Sequence, residues 1–131
     1  MTVQTTWVID GSTGFEQLRI GDDRSAVRAR FGDFQVFRRT PEAPETDHFV
    51  ASGIQVTYDD EGRVEFIEVM TPADPSLRGS CLLGRPTEDV IADLRVRGVE
   101  CVEERDGAYL PGLRVDCSRS AGLLKECRST T

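Results

Sequence analysis

Two stretches of this chain can be laid on each other, and that match restricts its fold more than any single motif does. The segment Ile20–Phe31 (IGDDRSAVRARF) aligns with Leu83–Leu94 (LGRPTEDVIADL) at an offset of 63. Gly21/Gly84, Val27/Val90 and Ala29/Ala92 are identical, and Ile20/Leu83 and Phe31/Leu94 are apolar in both. Further on, Gly53–Tyr58 (GIQVTY) aligns with Gly112–Cys117 (GLRVDC) at an offset of 59, so the second copy has a loop shorter by four residues. A duplication predicts two similar helix-strand-strand-strand halves, residues 15–70 and 79–131, within one domain spanning 1–131. Units of about 60 residues bury little core alone, so the two are expected to share one sheet.

Local chemistry marks the elements. Asp22 is placed to cap the first helix, Val27 and Phe31 with Ile20 give it an apolar side, and Gly32 ends it. In the second helix Pro86 fits the first helical position, Glu88 and Asp89 the first turn, and Arg95 and Arg97 the last. Val90, Ile91 and Leu94 supply its buried stripe and Gly98 stops it. Period-two alternation predicts strands over 34–39, 54–58 and 63–69, then 99–104, 113–117 and one further run after the next turn. Asp59-Asp60-Glu61-Gly62 reads as a hairpin tip, with Val64 and Phe66 on the core side and Arg63 and Glu65 opposite. Residues 40–45 read as a loop, 71–75 as the start of a linker, and 5–10 as an added edge strand. The sum is an α+β fold: an antiparallel sheet of about six strands with two helices on one face.

Gly21 through Val27, running to Phe31-Gly32, resembles the helix-opening signature of the SmpA/BamE-like and β-lactamase-inhibitor-protein-like folds. Two copies in tandem are more similar to the doubled α/β unit of the inhibitor than to the single-copy outer-membrane lipoproteins. The general run of the sequence is also similar to small bacterial proteins, some of them immunity proteins encoded beside toxins. The resemblance implies a scaffold that presents a sheet face to another protein, without implying β-lactamase as the target.

Charge bears on the partner. Glycine included and tyrosine left out, about 46% of the chain is apolar, within the roughly 45–50% usual for globular domains. Lys and Arg total 16 against 23 Asp and Glu, a net charge of −7, with Lys125 the single lysine. That balance argues against nucleic acid and membrane surfaces and suits a basic protein. Residues 1–9 carry no basic start, long apolar stretch or cleavage site, so the expected location is the cytoplasm.

The search for chemistry finds no catalytic set. His48 is the lone histidine, and no motif places a nucleophile near it. Cys81, Cys101, Cys117 and Cys127 lack metal or redox spacing and read as reduced, mostly buried thiols. Asp59–Gly62 lacks the later glutamate of a calcium loop. Glu65 with Glu68, Glu103 with Glu104, and Arg38-Arg39 read as surface charge, while Trp7, Phe37 and Tyr109 fit either core or an interface. No cofactor or metal is expected. What remains is the sheet face away from the helices, expected to carry Gln55, Thr57, Arg63, Glu65, Arg114 and Asp116, with Glu100, Glu103 and Glu104 at its edges. On that face the chain is expected to bind one basic protein without catalysis, as an immunity or inhibitor protein acting by steric occlusion. The competing expectation is a small-molecule site, or a small enzyme, in a groove between the halves.

Overall fold

A computed structural model describes residues 5–130; of the N-terminal stretch read for targeting, residues 1–4 lie outside it. The fold is α+β, with two helices and a largely antiparallel strand arrangement. The expected six-stranded sheet is replaced by two sheets, one of eight strands and one of three.

In chain order the elements are β1 (Thr5–Val8), α1 (Arg24–Phe31), β2 (Gln35–Phe37), β3 (Thr46–Phe49), β4 (Ile54–Tyr58), β5 (Val64–Met70), β6 (Ala73–Leu77) and β7 (Ser80–Cys81). Then come α2 (Thr87–Val96), β8 (Val102–Glu104), β9 (Gly107–Leu110), a 3-10 turn (Pro111–Leu113), β10 (Val115–Ser120) and β11 (Leu123–Thr130). The large sheet runs β2-β3-β4-β5-β11-β10-β9-β8, antiparallel throughout, so β5 and β11 meet at its middle. β1 does not extend it: β1 pairs parallel with β6, which pairs with β7.

The helix ends follow sequence chemistry with small shifts. Asp23, one residue past the expected cap, accepts from Ser25 N at 3.1 Å, while Asp22 accepts from Arg19 N. Gly32 closes α1 with φ +80°. Pro86 precedes α2 as its N-cap, with extended backbone (ψ 136°), and Thr87 opens the helix. Backbone bonds tie each helix entry to a strand. Gly21 N donates to Val64 O (2.8 Å), Val64 N to Asp22 O (2.9 Å) and Arg24 N to Gly62 O (2.9 Å). Gly84 N donates to Leu124 O (2.8 Å), Leu124 N to Arg85 O (3.2 Å) and Thr87 N to Gly122 O (3.0 Å).

The core lies between one face of the large sheet and everything else. Phe49, Ile54, Val56, Ile67, Val69, Val115, Cys117 and Cys127 line that face. Onto it pack Val27 of α1, Val90, Ile91 and Leu94 of α2, and Trp7, Ile9, Phe15 and Leu18 from the N-terminal segment. Trp7 is core, meeting Phe15 edge-on at 5.7 Å and Phe31 at 5.5 Å. A polar tie sits beside this packing: Asp47, fully buried on β3, accepts two bonds from Arg28 of α1 (2.8 and 2.9 Å) and one from the Tyr58 hydroxyl (2.8 Å). Burial, then the bond to Asp47, pushes the Tyr58 phenol far above its ordinary range, so it serves as a neutral donor.

Candidate functional site

The face of the eight-stranded sheet opposite the core bears none of the residues that the helices and the small sheet bury. The strand register spells out its contents. One cross-strand row reads Gln35, His48, Gln55, Glu68, Arg128, Asp116, Tyr109 and Val102, one residue from each strand. The next row carries Phe37, Thr46, Thr57, Phe66 and Thr130. On the other side lie Met70, Glu126, Ser118, Gly107 and Glu104.

Position on this face is decided by two bulges. Between β4 and β5 the pairing slips so that Thr57 faces Phe66 and Tyr58 faces Val64, which leaves Glu65 unopposed. One extra residue reverses the alternation. Phe66, expected in the core, therefore lies on the uncovered face, and Glu65 stands at the bulge instead of within a row. The equivalent slip between β10 and β11 leaves out Lys125.

Ion pairs organise the middle of the face. Arg39 reaches over from the end of β2, donating to Gln55 Oε1 at 3.1 Å and pairing with Glu68, with its guanidinium 5.6 Å from the Phe37 ring. Arg128 pairs with Asp116 (3.2 Å) and Glu126 (2.5 Å), and Ser118 Oγ donates to Glu126 Oε1. Glu68 is 7% exposed although no helix covers it. Burial raises its carboxyl above the ordinary value, and Glu126 adds to that, while Arg39 and Arg128 oppose it. Phe37, Phe66, Met70 and Tyr109 surround these charges, each half-buried.

Of the residues expected here, Gln55, Thr57 and Asp116 lie within the rows, and Glu104 lies at the β8 edge. The others are elsewhere. Arg63 bridges to Asp23 at the α1 entry and donates to Gly21 O. Arg114 closes the 3-10 turn in the left-handed conformation (φ +54°). Glu103 points to the core side of its edge strand and pairs with Arg119 at 3.7 Å. Glu100 lies in the loop before β8, on the rim of a groove. The sequence marks Arg39 and Glu68 only as surface charge and Phe66 as core, and it singles out none of Met70, Glu126 and Arg128, because the face they share depends on register.

That groove, about 520 Å³, runs between β1, β6, the end of α2 and the 3-10 turn. Its charged lining is Arg78 and Glu100, and Arg78 already donates to Arg97 O (2.7 Å). His48 sits in the sheet row between Gln35 and Gln55, not in this groove. Cys101, Cys117 and Cys127 are buried and Cys81 exposed, all as free thiols. Among the described residues no group of three or more His, Cys, Asp or Glu is gathered to hold a metal ion, and no helix is long and apolar enough to cross a membrane.

Compared with models of known protein families, with curated proteins and with solved structures, the chain matches none.

Proposed function

We propose that this chain is a non-enzymatic binding protein whose uncovered sheet face docks on one basic protein and acts by steric occlusion, as an immunity or inhibitor protein does in the cytoplasm. The observation that carries the reading is the composition of that face: aromatic side chains and a methionine around a half-buried, carboxylate-rich ion network. Tyr, Phe, Met and Arg are enriched in the cores of protein interfaces, where each large side chain gains much contact. Asp116, Glu126, Glu68 and Glu104 outnumber Arg39 and Arg128 there. The surplus negative charge favours and steers a cationic partner.

A tandem duplication accounts for the frame that presents this face, and a repeated set of backbone bonds supports it. Replacing Gly21 by Gly84, Asp22 by Arg85, Arg24 by Thr87, Gly62 by Gly122 and Val64 by Leu124 turns each bond at the α1 entry into one at the α2 entry. Likewise Met70 N to Gly53 O (2.8 Å) becomes Thr130 N to Arg114 O (3.3 Å). Pairing across the sheet sets Ile54 against Val115 and Val56 against Cys117 as equivalents, two residues beyond the match read from sequence. Leu113 belongs to the 3-10 turn, which moves the strand start. The resemblance to the inhibitor's doubled unit, carried by Gly21 through Val27 and its second copy, belongs to the same proposal.

Affinity capture from the native host tests the function with two baits, the wild type and a Phe66→Ala/Tyr109→Ala variant. One basic protein held at stoichiometric level by the wild type, lost from the variant and weakened by salt, supports the reading. Capture of nothing, or equal capture by both baits, overturns it.

A further inference from the structure

The two edges of the eight-stranded sheet are unlike. β8 carries Glu103 and Glu104, followed by Arg105 and Asp106. Charged side chains on an edge strand discourage pairing with another chain, and self-pairing about Glu103 would set like charges opposite each other. β2 itself carries no charged residue, its nearest charges, Asp33, Arg38 and Arg39, lying on its flanks. Its residues are Gln35, Val36 and Phe37, it is the terminal strand of the sheet, and its outer side has no strand partner among the described residues. Beside it the chain exposes large apolar side chains: Phe34 is 36% exposed, Val36 47% and Val50 55%. Phe34 and Val50, with Asp33, Gln35, His48 and Ala51, border an open depression of about 400 Å³.

We propose that the β2 edge is a self-association surface, whose occupant is the β2 edge of a second copy of this chain. Antiparallel pairing about a two-fold axis through Val36 sets Val36 against its own counterpart and Gln35 against Phe37. The same register sets Asp33 against Arg39 twice, once on each side of the axis. The strand's flanks are therefore self-complementary in charge, as an isologous interface requires. Arg39 stays within reach of a second carboxylate, because its side chain is 52% exposed while paired with Glu68. The seam extends the antiparallel order of the sheet and gives sixteen strands with β8 at both outer edges. A seam this short lies at the small end of protein interfaces, so the dimer is expected to be weak, with a Kd on the order of 10–100 µM.

Sedimentation equilibrium of the intact chain, under reductant and from about 1 to 1000 µM (roughly a decade either side of that Kd range), reads the mass directly. The expected result is a weight-average mass rising from 14.5 kDa toward twice that value. Val36→Lys should return it to monomer at every concentration, with an unchanged circular dichroism spectrum. A wild type that stays monomeric, a mass that grows past the dimer, or a dimer that survives Val36→Lys overturns the proposal. A second variant does not depend on losing a contact. In a Cys81→Ser background, Val36→Cys should join two copies when oxidised glutathione accepts the two electrons, the two thiols giving one disulfide and two reduced glutathiones. Val102→Cys, on β8, should not; equal crosslinking at both edges overturns the assignment. Neither measurement involves the basic partner, so each can fail while the reading of the sheet face stands.

Discussion

Removing the Asp47 carboxylate should destabilise the fold strongly, because three hydrogen bonds from two groups, the half-buried Arg28 and the buried Tyr58, converge on it. Its two oxygens take both bonds of the Arg28 fork and the Tyr58 hydroxyl, and it is 0% exposed. Breaking a fully buried ion pair on one side costs about 3–5 kcal/mol. The Arg28 side chain is 29% exposed, so it can turn partly to water, and its share falls to roughly 2 kcal/mol. The Tyr58 hydroxyl cannot escape, since Tyr58 is 1% exposed; an unsatisfied buried donor adds about 1–2 kcal/mol. Asp47→Ala is therefore expected to lose about 3–4 kcal/mol, or roughly 10 °C in Tm for a domain of this size. Urea unfolding followed by tryptophan fluorescence is the assay, Trp7 being the single tryptophan and buried. Tyr58→Phe alone should cost about 1 kcal/mol, and in the Asp47→Ala background it should cost nothing or recover stability. A loss under about 1 kcal/mol for Asp47→Ala, with the two changes additive, refutes the idea that the carboxylate ties α1 to the sheet.

Three further outcomes follow from particular residues. The folded-state pKa of Glu68 is raised, so its ionisation opposes folding as pH climbs above the ordinary carboxylate range. The stability of Glu68→Gln relative to wild type should rise through that window and level off below it, in denaturation curves taken from pH 3 to 8 (spanning the usual carboxylate pKa of about 4.3); a pH-independent difference contradicts this. Gly53 and Arg114 both take a left-handed conformation just before a strand, but a Cβ at Gly53 would stand 2.3 Å from Met70 O. Gly53→Ala should thus lose at least about 2 kcal/mol, whereas Arg114→Gly should gain about 0.5–1 kcal/mol, measured by thermal unfolding. Finally, native protein titrated with an aromatic disulfide reagent should show one accessible thiol, Cys81, slowed by burial and by Asp74, which raise its pKa. The other three should react on unfolding, and two or more accessible native thiols would contradict the burial of the triad.

The helices were legible in the sequence because their signals are local. Gly32, Pro86 and Gly98 act through their own dihedrals, and Asp23 takes the cap one residue after Asp22 because both carry the same carboxylate. Strands were legible only where alternation was clean, as in Ile54–Tyr58. β3 was hidden because Thr46–Phe49 follows a Pro-containing loop and places a buried carboxylate, Asp47, where an apolar residue is expected. β6 was hidden by Pro75, which breaks a strand pattern; β7 pairs only with Ser76 and Leu77, past that proline. The candidate site was the least legible part. A bulge has no compositional mark, so nothing in the chain announces that Glu65 is skipped and Phe66 turned outward. The Arg39–Glu68 pair joins residues 29 positions apart, which only the sheet register brings together.

The proposed function requires that the uncovered sheet face be the surface that meets the partner. Oxidative footprinting of side chains, with and without the captured basic protein, tests it most directly, since Phe66, Met70 and Tyr109 are reactive types left half-exposed on that face. Labelling of these three should fall severalfold in the complex while that of Leu113, on the groove, is unchanged. Undiminished labelling of Phe66, Met70 and Tyr109, with protection at Leu113 or along the helices, would contradict it.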